Sequence, residues 1–190
     1  MNDGKFFTLA LVLAFWGILE LRHLRLRASG KAGAKIEDRR TLQTIFYVSV
    51  PTAIFAAATR FLPLPALPFE NIIFALGVFC APLGMIIREW SVLTLGKFFV
   101  VEVAVQAGQK VIESGPYLFI RHPSYLGALL TMIGVGLMSG NWIGFVVAFF
   151  PGLFVLMRRI RLEEAVLSKE LGEDYIKYMK RTKRLIPFVY

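Results

Sequence analysis

GPYLFIRHPSYLG, Gly115 to Gly127, sets an Arg-His-Pro step against the start of an apolar helix. Gly115-Pro116 breaks the chain ahead of it. Pro123 keeps His122 out of helical geometry and suits the first turn of the helix that follows. Arg121 and His122 are therefore expected where water meets hydrocarbon. Polar side chains are costly at that depth, so their presence there points to a function. Open amides at the helix start favour a carboxylate or another anion. The stretch reads as a site that joins a charged ligand to an apolar one.

Working outward, the run from Ser124 to Met138 is apolar, and so is Trp142 to Met157. Only Ser139, Gly140 and Asn141 join them, which predicts a tight antiparallel helical hairpin. Gly127, Gly134, Gly136, Gly144 and Gly152 give it small faces for close approach. Three further apolar runs precede the motif: Phe6 to Leu21, Leu42 to Thr59 with Pro51 inside, and Phe69 to Ile87. The first is short for a hydrocarbon core of ~30 Å.

The composition agrees. The 190 residues are 56% hydrophobic and 18% charged, and mean hydropathy is +0.61. Soluble domains carry more charge, about 25%. The expected fold is all-α and integral to the membrane. It has five transmembrane helices, the last two in a hairpin, and an amphipathic C-terminal helical region in the cytoplasm. Residues 1–190 form one domain, with three spans in 1–87 and the polar chemistry in 88–190.

The net charge of +9 flanks the apolar runs and is not arranged as a nucleic-acid surface. That placement suits contact with anionic membrane lipids and excludes a nucleic-acid partner. Residues 22–41 hold seven Lys or Arg, and the tail beyond Met157 holds nine. The linker 60–68 has only Arg60. The positive-inside rule puts 22–41, 88–123 and the C-terminus in the cytoplasm, with the N-terminus on the other side. The proline-rich linker FLPLPALPF reads as a structural cap. Val101, Val103 and Val105 predict a short extended stretch, and Gly108 a turn.

The tail is amphipathic and continues the fifth span. Gly172 interrupts it, and Glu173 to Met179 form a further short helix. Arg159 and Glu163 share a face by their spacing of four. They can pair with each other or serve a ligand. Of the two histidines, His23 is expected to face solvent or lipid, and His122 to stand beside packed helices. Cys80 is the single cysteine and lies in an apolar run, so it reads as a packing residue. There is no HExxH, Ser-His-Asp or Cys-His layout, and no GxGxxG after a strand. No metal site is expected. With so few acid-base groups, the sequence permits, without selecting, a reaction whose nucleophile is already ionised, such as transfer of a methyl group to a carboxylate.

The segments KVIESGPYLFIRHPSYLG, GNW, RIRLEE and LGEDYIKYMKRTKRLIPFVY resemble the isoprenylcysteine carboxyl methyltransferase family, over about residues 88–190. Its wider superfamily includes phospholipid methyltransferases and membrane reductases. The resemblance implies an integral membrane enzyme that uses S-adenosyl-L-methionine in a cytoplasmic pocket. It implies that Gln109, Lys110 and Val111 border the cofactor. Tyr117, His122, Pro123 and Tyr125 would form its wall, with Leu126 and Gly127 in close contact. Glu163, or its neighbour Glu164, would take the ribose or amino group, and Arg159 would orient an acceptor carboxylate. The partner would be a lipophilic small molecule or a prenylated protein C-terminus. Other readings are a phospholipid N-methyltransferase, an NAD(P)H-dependent membrane reductase and a non-enzymatic membrane assembly protein.

Overall fold

The computed structural model describes residues 3–25, 35–38, 40–99, 103–105 and 108–186. Six helices carry the fold: α1 Asp3–Leu24, α2 Arg40–Ala58, α3 Glu70–Leu95, α4 Pro123–Met138, α5 Trp142–Leu171 and α6 Glu173–Arg181. Strand β1, Lys35–Asp38, pairs antiparallel with β2, Val103–Val105. The remaining expected valine, Val101, lies outside the described residues. Among the described residues, three stretches are long and apolar enough to cross a membrane: α1, Glu70–Phe98 and α5. α4 is apolar but shorter.

The most intimate contact is between α3 and α4. A methyl group added at Gly127 would stand 2.5 Å from Gly84 O and 2.7 Å from Arg88 N. One added at Gly134 would stand 2.5 Å from Ala81 N. Only glycine lets the two backbones meet this closely. In lipid, such dispersion contact replaces much of the hydrophobic driving force between helices. Leu9 and Trp16 of α1, Ala53 and Ala57 of α2, Met85 of α3, and Met132, Val135 and Met138 of α4 close over this seam as one core.

The proline-rich linker locks one end of the bundle. Leu67 N donates to Gly140 O at 2.9 Å, and Trp142 N donates to Pro65 O at 3.2 Å. Arg60 Nη1 donates to Met138 O at 2.9 Å, which satisfies a carbonyl at the end of α4. Asn141 caps α5 by accepting from Gly144 N at 2.8 Å.

Three expectations are corrected. α1 is not short: it has 22 residues and runs to Leu24. α3 does not stop at Ile87 but continues to Leu95. Arg88 and Glu89, just past the expected end, stay helical because α1 supplies their partners. Arg88 Nε lies 2.7 Å from Glu20 Oε1. Glu89 is met by His23 and Arg22. His23 faces neither solvent nor lipid; it is 1% exposed. The extended α1 carries its ring inward, with Nε2 2.6 Å from Glu89 Oε1.

Candidate functional site

The motif begins with a 3₁₀ turn, Gly115–Leu118, in which Pro116 and Tyr117 are buried. α6 holds this turn in place. Tyr178 Oη donates to Tyr117 O at 2.7 Å, with Ile120 O at 3.4 Å. The next residues are stitched to the chain after α6. Arg121 N donates to Lys183 O at 2.8 Å and His122 N to Arg184 O at 3.0 Å. His122 is the N-cap of α4, with φ −124° and ψ 56°, and Pro123 opens the helix. Tyr125 N and Leu126 N both donate to His122 O, each at 3.1 Å. His122 N and Tyr125 N, two of the amides expected to stand open to an anion, are thus already used.

Replacing Tyr178 by Phe should loosen this platform. Removing a buried hydrogen bond that leaves a carbonyl unsatisfied costs about 1–3 kcal/mol. Thermal unfolding in detergent should show a lower midpoint for Tyr178→Phe. An unchanged midpoint would remove α6 from the account of how the turn is held.

Two acidic residues of α5 face this platform differently. Glu164 is 4% exposed and belongs to a buried charged cluster. Arg121 Nε donates to its Oε1 at 2.8 Å, and Arg184 Nε to its Oε2 at 2.8 Å. His122 Nε2 lies 3.4 Å from Oε1. Arg121 also donates to Met179 O at 3.0 Å and to Thr182 O. Such a pairing satisfies a charge that would otherwise be costly to bury. Glu163 accepts from Tyr125 Oη at 2.5 Å. Tyr125 Oη in turn accepts from Arg159 Nε at 2.6 Å. Arg159 and Glu163 thus meet at one phenol instead of simply pairing. The His122 and Tyr125 rings stack, with centroids 5.5 Å apart and planes 16° apart.

These side chains open onto a cleft of about 860 Å³ including its mouth. One wall is apolar: Leu95, Phe98, Phe99 and Val105. Tyr117, Arg121, His122, Tyr125, Glu163 and Tyr175 line the same cleft, together with Gln109, Lys110 and Val111. Burial first, then the charge of Glu163, pushes the Tyr117 hydroxyl well above the ordinary phenol range. Burial, then Glu163 and Glu164, does the same to Tyr175. Both phenols are neutral hydrogen-bond donors at physiological pH.

Of the residues picked out in the sequence, Gln109, Lys110, Val111, Tyr117, His122, Tyr125 and Glu163 come together on this cleft. Pro123 sits beneath it as the first residue of α4. Leu126 packs into a core with Ala128, Leu129 and Ile160. Gly127 presses on Gly84 and Arg88 of α3. Arg159 is 4% exposed, under Tyr125. Glu164 lies behind His122. Sequence reasoning missed Arg184, Tyr175, Tyr178 and the Leu95–Phe99 wall. Tyr175 and Tyr178 are three residues apart on one face of a short helix, which is the signal that could have found them. Among the described residues there is no group of His, Cys, Asp and Glu able to hold a metal.

Comparison with known proteins places this arrangement. The family model described as phospholipid methyltransferase matches residues 72–174, which takes in most of α3, most of the cleft lining, α4 and α5. The chain is 30% identical over 109 residues to protein-S-isoprenylcysteine O-methyltransferase B of Arabidopsis thaliana, covering 56% of this chain and 55% of that protein. It is 25% identical over 191 residues to protein-S-isoprenylcysteine O-methyltransferase of Schizosaccharomyces pombe, covering 100% of this chain and 70% of that protein. It is 31% identical over 116 residues to the enzyme of the same name from Saccharomyces cerevisiae, covering 60% of this chain and 48% of that protein. The chain thus spans about half the length of two of these relatives. With the model matched over more than half of its residues, the chain belongs to the phospholipid methyltransferase family.

Proposed function

We propose that this protein transfers a methyl group from S-adenosyl-L-methionine to the carboxylate of a lipophilic substrate of the S-prenylcysteine kind. Relatives named protein-S-isoprenylcysteine O-methyltransferase support the acceptor class. The observation that carries the reading is a cleft in which one carboxylate, Glu163, stands among apolar and aromatic lining residues. The residues fit the donor. Glu163 suits its ribose or ammonium, His122 its carboxylate, and Leu95, Phe98 and Phe99 its flat ring. When bound, the donor supplies an electrophilic methyl group and departs as a neutral thioether.

The chain's own work is positioning. Tyr125 fixes Glu163 by a hydrogen bond, and Arg159 fixes Tyr125. Glu164, Arg121 and Arg184 hold His122 at the start of α4. The family resemblance gives Arg159 the acceptor carboxylate, a task that suits a guanidinium, which it would perform from its place under Tyr125. The apolar wall excludes water, so the acceptor oxygen meets the methyl group undiluted.

The same geometry weighs against a phospholipid amine as acceptor. An ammonium must lose a proton before it can attack. Tyr117 and Tyr175 are held protonated, and Glu163 is engaged by Tyr125. A carboxylate is already ionised near pH 7 and needs no base. The reading also places five spans in the bilayer, with α2 and α4 joining the three long helices. The N-terminus faces away from the cytoplasm and the cleft opens toward it, where the basic segments lie.

Titration of the purified protein with S-adenosyl-L-methionine and, separately, with NADPH tests the donor. Saturable binding of the first alone is expected. Binding of NADPH alone would favour a reductase, and binding of neither a non-enzymatic protein.

A further inference from the structure

None of the described residues that line the cleft comes from α1, yet α1 reaches the cleft through a charged cluster on α3. Arg88 of α3 grips Glu20 of α1 with two nitrogens: Nε is 2.7 Å from Oε1, and Nη2 is 2.9 Å from Oε2. Trp16 Nε1 donates to the same carboxylate at 3.2 Å. The third nitrogen of Arg88, Nη1, donates to Ser124 Oγ at 3.0 Å and to Ser124 O at 3.4 Å. Ser124 is the second residue of α4, two after His122, and it lines the cleft.

A second contact runs beside the first. His23 binds Glu89, and its ring meets Phe99 edge-on at 5.9 Å between centroids. Phe99 belongs to the apolar wall of the cleft.

The charge of Arg88 is not explained by helix stability. A cation beside a helix N-terminus is opposed by the helix dipole. Nor is it an idle surface charge, since its side chain is 14% exposed and that of Glu20 is 16% exposed. Charges placed among apolar helices persist when they are paired and put to use. The stem of Arg88 also lies against α4, because a methyl group at Gly127 would stand 2.9 Å from Arg88 Cβ. Backbone contact and guanidinium together fix the first turn of α4 on α3.

We propose that Arg88, oriented by Glu20, is a positioning residue for the donor site: it fixes Ser124 and so the start of the helix that carries His122 and Tyr125. The inference rests on reading the cleft as a donor site. Arg88 touches no reacting group; it acts through α4. α1 thereby contributes to a site that it does not line.

The test compares wild type, Arg88→Lys, Arg88→Lys/Glu20→Gln and Arg60→Ala in detergent, by thermal unfolding and by titration with S-adenosyl-L-methionine. Lysine keeps the charge but cannot hold Glu20 and Ser124 together. Arg88→Lys should raise the donor Kd by about tenfold, as expected for losing a charged hydrogen bond. The double variant Arg88→Lys/Glu20→Gln should bind no worse than Arg88→Lys alone, because the two residues act as one unit. Arg60→Ala breaks an interhelical arginine at the other end of the bundle. It should lower the unfolding midpoint and leave the donor Kd unchanged. An unchanged Kd in Arg88→Lys would overturn the proposal, as would an equal loss in Arg60→Ala, which would mark a general stability effect. Wild-type protein that takes up no donor would overturn the reading of the cleft, and this inference with it.

Discussion

Replacing Glu163 by Ala should weaken donor binding by ~10–100-fold, the cost of losing a charge-assisted hydrogen bond in a sheltered site. Glu163 is the carboxylate that faces the cleft, and Tyr125 holds it there. Glu164→Ala should act by another route. It would leave Arg121 and Arg184 without the carboxylate between them, so the unfolding midpoint should drop along with affinity. Arg159→Ala should lower turnover more than donor affinity, since its proposed duty is to the acceptor. Titration of the donor and steady-state kinetics separate the three. Equal loss of donor affinity in Glu163→Ala and Arg159→Ala would move Arg159 into the donor's binding shell. Full affinity in Glu163→Ala would remove Glu163 from it.

The second large effect concerns the α3–α4 seam. Gly84→Val should abolish the folded protein. A Cβ there would overlap Gly127 O and stand 2.6 Å from Thr131 N, and both are helix backbone. Overpacking of side chains costs about 1–3 kcal/mol. Backbone cannot yield by changing rotamer, so the cost here lies at or above the upper end. Gly17→Val in α1 is the control, because nothing lies within 4 Å of its position. It should purify as a folded, monodisperse protein while Gly84→Val aggregates. Equal behaviour of the two in gel filtration and thermal unfolding would show that the seam is not close-packed. The same seam explains Gly127. Its missing side chain makes room for Gly84 and Arg88.

Much of this was legible in the sequence because local signals are strong there. Pro123 marks the start of α4, Asn141 the start of α5, and Gly172 the break before α6. Each is a residue whose backbone chemistry fixes a helix boundary without help from the rest of the chain. The motif from Gly115 to Gly127 placed His122 and Tyr125 together for the same reason. What stayed hidden depends on partners far away in the chain. Arg88 and Glu89 look like the end of a span until Glu20, His23 and Arg22 are seen beside them. His23 looks like a loop residue until α1 is known to run to Leu24. Glu163 and Glu164 are adjacent and chemically alike. Only the packing of Arg121, Arg184 and His122 against one of them tells the two apart. Arg184 sits in a basic tail with no periodicity to single it out.

The most direct test of the central claim is methyl transfer itself. The purified protein would be given S-adenosyl-L-methionine with a labelled methyl group. One sample would contain N-acetyl-S-farnesyl-cysteine and the other phosphatidylethanolamine vesicles. The account predicts label in the farnesyl sample that base releases as volatile methanol, the mark of a methyl ester, and no label in the lipid. Label in the phospholipid, or in neither sample, would contradict it.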